Sequence, residues 1–231
     1  MVAIKAIIFD MDGVLIDAKQ WHYEALNLAL KPHGFEISED EHIRTYDGLP
    51  TRKKLELLSR RKGLDESKHD EIHALKQAYT IDTIQSKCQP NPAHLEVVKA
   101  LKAEGYLLCV CTNSVRRTTQ LILSLAGLEP YLEFSLTSDE VRVPKPSPEI
   151  YEAAMERLGV SAAETLIFED NPYGIQAARA SGAKVALVSE PSDINLNFIQ
   201  FHLSRLGNDT SLLAPNWTEA PREGRKPNLH D

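Results

Sequence analysis

Short apolar runs rich in β-branched residues recur along the chain, and most stop at a polar residue. AIIF ends at Asp10, YLLCVC (106–111) at Thr112, TLIF (165–168) at Glu169 and KVALV (184–188) at Ser189; FSL (134–136) is shorter. Near-continuous apolar strands separated by helices predict a parallel sheet covered on both faces. Helical spacing runs over 92–104, 114–126, 148–158 and 172–181, and each stretch is followed by glycine, a common helix stop. A further amphipathic helix is predicted over 197–206, packing back on the core.

One interval breaks this alternation. Far more chain lies between Asp10 and Thr112 than one crossover needs. Residues 17–86 read as helices, with turns at Pro32-His33-Gly34, Asp47-Gly48-Leu49-Pro50 and Lys62-Gly63. They form a helical insert after the first strand, and Pro90-Asn91-Pro92 marks the return to the sheet. The predicted organisation is a core from 1–16 and 87–207, the insert over 17–86, and an irregular tail over 208–231.

Composition narrows the function classes. With 42% hydrophobic residues, the 231-residue chain can bury a proper core. A net charge of −7 and the lack of a Lys/Arg-rich block argue against nucleic acid or an anionic membrane as partner. No stretch has the apolar length of a membrane span, and the apolar N-terminus is too short and too soon acidic for a secretory signal. Cys88, Cys109 and Cys111 give no even disulfide framework, so reduced thiols and a cytoplasmic location are expected. Two glycosylation sequons, at Asn208 and Asn216, are read as chance matches. A monomer or weak homodimer is expected.

The chemistry gathers where the strands end. In an open parallel sheet, ligands bind beyond the carboxyl ends of the strands. Asp10, Asp12, Thr112, Asn113, Ser114, Lys145, Glu169 and Asp170 all fall there. Carboxylates pooled in so small a volume call for a hard cation, and oxygen ligands suit Mg²⁺. Residues two apart on an extended chain share a face, so Asp10 and Asp12 can approach one substrate while Met11 turns into packing. A carboxylate can attack phosphorus to form an acyl phosphate, with Lys145 and the cation screening the meeting of two anions. Asp12 can then serve as acid and base. Thr112 and the amides near Asn113 and Ser114, at an expected helix start, suit phosphate oxygens.

DMDGVL, CTNS, VPKPSPEIY and FEDNPYGIQAARASG, in this order and rough spacing, resemble the four motifs of the haloacid dehalogenase superfamily. The similarity covers about residues 2–190. The helices between the first two motifs resemble the α-helical cap of its phosphoglycolate phosphatase and β-phosphoglucomutase group. This implies an α/β fold with a Rossmann-like parallel sheet sandwiched by helices and a small cap. It implies Asp10 as nucleophile, Asp12 as acid/base, and Thr112 and Lys145 as phosphate-binding residues. It makes Asp170 a Mg²⁺ ligand, joined by Asp10, the Asp12 backbone carbonyl and Glu169.

The implied activity is a Mg²⁺-dependent phosphatase acting on a small phosphorylated metabolite, such as a sugar phosphate, through an aspartyl phosphate. A β-phosphoglucomutase-like phosphomutase is the alternative. Against it, Ala18 stands where that branch carries Thr, and Asp47 and Thr51 replace basic residues flanking the cap glycine. A dehalogenase would not need Asp12. A third reading is an inactive binding module, which loss of Asp10, Asp12, Lys145 or Asp170 would have signalled; all are present. Arg52 and Lys53, after Gly48, are candidates to reach in from the cap and read substrate. His22 is a candidate to face the cleft. HDEIH (69–73) has the His spacing of a zinc helix but Asp70 where the zincin pattern needs Glu, so an exposed cap helix is expected.

Overall fold

The structure, a computed structural model, describes residues 2–208. Five parallel strands form one sheet: β1 (Ala6–Phe9), β2 (Leu107–Cys111), β3 (Phe134–Leu136), β4 (Thr165–Glu169) and β5 (Lys184–Leu187), in the order β3-β2-β1-β4-β5. Every residue of β1 and β4 is buried, as expected for inner strands with both faces covered. Phe9 lies opposite Val110 in β2 and Phe168 in β4, so the carboxyl ends of these three strands finish level.

Nine α-helical segments are described: α1 (Lys19–Leu30), α2 (Glu39–Glu41), α3 (Thr51–Lys62), α4 (His69–Lys87), α5 (Pro92–Ala103), α6 (Arg116–Leu125), α7 (Glu149–Leu158), α8 (Pro172–Ala180) and α9 (Leu196–Arg205). The pleat divides the core in two. On one face, Ile7, Phe9, Leu108, Val110 and Phe168 pack with Val98 of α5, Ile122 of α6 and Phe198 and Leu203 of α9. On the other, Ile8, Cys109, Cys111 and Ile167 pack with Ile150 and Tyr151 of α7 and Ala177 of α8. Thus α9 folds back on the core, and the cysteines are buried, free thiols.

Helices α1 to α4 all lie between β1 and β2 and carry a core of their own, built from Leu26, Leu30, Ile37, Tyr46, Leu55, Leu58 and Ile72. α2 runs into a π-helical turn over His42–Tyr46, which buries His42 and Tyr46. None of the described helices is long and apolar enough to cross a membrane.

One expectation changes. The helix expected from Ser114 starts at Arg116, because Val115 is extended (φ −84°, ψ 155°) and closes the strand-to-helix turn instead. Asn208, the first residue of the expected irregular tail, is outside any helix or strand and is tied to the core. Its side-chain oxygen accepts from the Ile4 amide (3.0 Å), and its amide donates to the Ile4 carbonyl (2.9 Å) and the Tyr106 hydroxyl (3.1 Å). The rest of the tail, 209–231 with Asn216, lies outside the described residues.

Candidate active site

Asp10 follows β1 directly, and its amide donates to the Phe168 carbonyl at 2.9 Å. The chain then folds sharply, with the Leu15 and Ile16 amides returning to the Met11 carbonyl (both 3.0 Å) and Met11 fully buried. Gly13 makes the turn at φ +99°, and a side chain there would collide with the Asp170 carboxylate. The loop after β1 is thereby pressed against the end of β4.

Lys145 joins the acids. Its ammonium donates to Asp10 Oδ1 (2.6 Å), Glu169 Oε1 (2.6 Å) and the Cys111 carbonyl (2.8 Å), all within the buried base of a cleft of about 660 Å³. Glu169 has no oxygen to spare. Its Oε1 also accepts from the Tyr151 hydroxyl (2.6 Å), and its Oε2 takes the amides of Asp170 (3.0 Å) and Asn171 (3.2 Å). Burial alone would lower the Lys145 pKa, but the Asp10 and Glu169 carboxylates hold it above the ordinary lysine range. Asp10 is pushed up by burial against the pull of Lys145, with Glu169 and Asp170 adding to the rise.

Asp170 is pushed up to about 6 by burial, opposed by Lys19, whose ammonium stands 2.6 Å from Oδ2; Glu169 and Asp47 add to the rise. Oδ2 of Asp170 meets only that ammonium, and Oδ1 is buried without a partner. Asp10, Glu169 and Asp170 each offer an oxygen within 4.8 Å of the others, the one such grouping of three among the described residues. Three crowded carboxylates, with ionisation disfavoured at Asp10 and Asp170 and with Asp170 Oδ1 buried without a partner, fit a divalent cation with oxygen ligands. No such cluster forms at His69 and His73; the His69 ring instead pairs with the Ser59 hydroxyl at 2.7 Å.

Asp12 faces the same cleft but stands outside that trio. Its Oδ2 accepts from the Ser114 hydroxyl (2.6 Å) and lies 3.2 Å from His22 Nε2, while Oδ1 is buried without a partner. Lys76 Nζ is 3.2 Å from His22 Nδ1. With the ammonium donating to Nδ1, the ring carries its proton on Nε2, toward Asp12. Burial raises the Asp12 pKa, but His22, Ser114 and Lys76 together outweigh it and lower the group.

The other expected residues divide. Thr112 is buried at the cleft and accepts from the Ser114 amide (3.0 Å). With α6 starting at Arg116, residues 112–114 are not a helix N-terminus, and the Arg116 amide is taken by Asp139. Asn113 is a brace: its amide donates to the carbonyls of Gly48 (2.8 Å) and Lys145 (3.2 Å), and its oxygen accepts from the Lys145 amide (3.1 Å). With Asn171 donating to Asp47 Oδ2 (3.0 Å), it ties the cap turn to the sheet. Gly48, at φ +74°, lies so close to Asn171 that no side chain would fit.

Arg52 borders the cleft, yet its guanidinium turns out to Asp70 at 3.0 Å, and Lys53 pairs with Glu56 at 2.9 Å. The next residue, Lys54, points inward and is buried beside Leu55 and Leu58 on the packed face of α3. Sequence reading also missed Lys76, Lys19 and Tyr151. Lys76 left a signal: it stands on the stripe Ile72-Lys76-Thr80-Ile84, where a solvated lysine is out of place.

Fold and site together define an α/β protein that pools acids with Lys145 and Lys19 at the carboxyl edge of a parallel sheet, beneath a helical cap. Residues 7–188 match the family model described as haloacid dehalogenase-like hydrolase, and the chain belongs to that family. It is 30% identical over 182 residues to a protein named phosphorylated carbohydrates phosphatase from Thermotoga maritima, covering 78% of this chain and 82% of that one. It is 27% identical to a phosphoglycolate phosphatase from Mesorhizobium japonicum, covering 79% of this chain and 81% of that one. The crystal structure of a β-phosphoglucomutase from Clostridium difficile shares the fold, with a TM-score of 0.75 at 19% identity over 87% of this chain and 98% of that one.

Proposed function

We propose that the protein is a Mg²⁺-dependent phosphatase that hydrolyses a small phosphorylated metabolite through a phosphoryl group carried on Asp10. The observation that carries this reading is the buried contact of Lys145 with Asp10 inside the acid cluster under the cap. The names of the relatives point the same way.

In the first step an Asp10 carboxylate oxygen forms a bond to phosphorus as the bond from phosphorus to the leaving oxygen breaks. That oxygen departs with a proton supplied by Asp12, which also faces the cleft. In the second step Asp12 takes a proton from water, the water oxygen bonds to phosphorus, and the bond to Asp10 breaks to release inorganic phosphate. Lys145 neutralises Asp10 and the incoming anion, while Tyr151 and the two amides fix Glu169 behind it. Asp10, Asp170 and the Asp12 carbonyl would hold Mg²⁺, with Glu169 completing the acidic cluster. The bound cation would supply charge neutralisation between nucleophile and phosphate. The cap excludes bulk water. Hydrolysis is preferred to phosphomutase chemistry because Ala18 stands where that branch carries Thr, and Asp47 and Thr51 replace the basic residues it carries beside the cap glycine.

A panel of phosphorylated metabolites assayed with Mg²⁺ tests this. Release of inorganic phosphate from at least one, lost with EDTA and restored by excess Mg²⁺, is expected. Release indifferent to EDTA, or none from any compound, would overturn it.

A further inference from the structure

The cap wall of the cleft holds charges that the proposed reaction does not use. Lys54 of α3 and Lys76 of α4 are only 5% and 6% exposed, and both line the cleft. Neither has a carboxylate within 4.0 Å among the described residues. The Lys76 ammonium meets the His22 ring alone, and the Lys54 ammonium has no hydrogen-bond partner there. The acids that act on Lys54 from further away, Asp47 and Asp12, are engaged with Asn171 and with Ser114 and His22. The neighbouring Arg52 and Lys53, by contrast, are paired outside.

We infer that Lys54 and Lys76 form a second anion subsite, which reads an additional carboxylate or phosphate on the leaving group of the substrate. A buried cation without a counter-ion is costly, and a bound anion removes that cost. Burial holds Lys54 down to about 8, and burial together with the nearby Lys54 charge holds Lys76 down to about 7. Nearby, outside the cleft lining, His42 keeps Nε2 buried without a partner, and burial followed by the Lys54 charge drives its pKa down to about 3. The cleft is therefore polarised. Acids and Lys145 occupy the sheet edge; cationic and donor groups face them from the cap. A substrate with an anion at each end matches both walls, whereas the monophosphate of a neutral alcohol leaves the cap lysines unpaired. This deepens the phosphatase reading and, for turnover, rests on it.

The competing role for the two lysines is support of Asp12 alone, which would affect all substrates alike. Calorimetry with non-hydrolysable probes separates the two without needing turnover. Phosphonoacetate, methylenebisphosphonate and ethylphosphonate are titrated into the Mg²⁺-loaded protein. At least one of the two probes with a second anion is expected to bind about tenfold or more tighter than ethylphosphonate. Which one does so identifies a carboxylate or a phosphate as the second group. In Lys54→Met, and again in Lys54→Gln, that ratio falls to about twofold or less. Removing an unpaired buried charge should leave the melting temperature at or above that of the parent, so loss of the ratio will not reflect unfolding. In turnover, the kcat/KM ratio of 2-phosphoglycolate or a sugar bisphosphate to 2-hydroxyethyl phosphate should fall in parallel. Equal binding of the three probes, or a ratio that survives Lys54→Met and Lys76→Met, would overturn the subsite. A binding preference without any phosphate release would strike the hydrolysis reading and leave the subsite standing.

Discussion

Asp10→Asn is expected to reduce kcat by about 10⁴-fold or more on every substrate the protein hydrolyses. The change keeps the shape of the side chain but removes the charge that attacks phosphorus. The neighbouring acids are poorly placed to stand in: the Glu169 oxygens are taken by Lys145, Tyr151 and two amides, Asp12 is turned to Ser114 and His22, and Asp170 pairs with Lys19 outside the cleft lining. The fold should survive, because burial already disfavours the Asp10 charge. Phosphate release by purified, folded Asp10→Asn checks this. Residual activity above about a tenth of the parent would mean that another group is the nucleophile.

Lys145→Met is expected to damage stability as well as turnover. The substitution leaves Asp10 and Glu169 as buried carboxylates facing each other without their shared cation. Breaking a buried pair in this way costs about 3–5 kcal/mol. That is a large part of the roughly 5–15 kcal/mol that holds a typical domain folded. A fall in melting temperature of roughly 10 °C is expected for a chain of this size. Adding Asp10→Asn to Lys145→Met should restore part of the loss, since one uncompensated charge then disappears. Melting of the single and double variants checks the cause. If the double variant melts no higher than Lys145→Met, the loss comes from packing against the Tyr151 ring, 4.8 Å from the ammonium, and not from charge.

Much of this was legible in the chain because it depends on local pattern. Runs such as AIIF and TLIF are buried on both sides, and that alone predicts inner parallel strands. The polar residue after each strand falls at the sheet edge by topology, so Asp10, Thr112 and Glu169 could be placed together without coordinates. What was not legible depends on contacts far apart in sequence. Nothing near Asn113 in the chain signals that its side chain bonds the Gly48 carbonyl, 65 residues away. Glu169 and Asp170 are adjacent acids, yet Lys145, Tyr151 and two amides saturate the first, while the second meets Lys19 and keeps Oδ1 without a partner. In Arg52-Lys53-Lys54, three cations in a row look alike. The phase of α3, fixed by burial of Leu55 and Leu58, decides that Lys54 is the one turned inward.

The most direct test is to find the phosphoryl group itself. Asp12→Asn should slow cleavage of the intermediate more than its formation if Asp12 activates the water. The variant is mixed with a substrate from the panel and Mg²⁺, quenched in acid within seconds, digested and mapped by mass spectrometry. The account predicts one phosphoryl group on the peptide spanning residues 6–19, localised to Asp10 and absent from Asp10→Asn. Turnover with that peptide unmodified at every time point, or with the phosphoryl group on another residue, would contradict it.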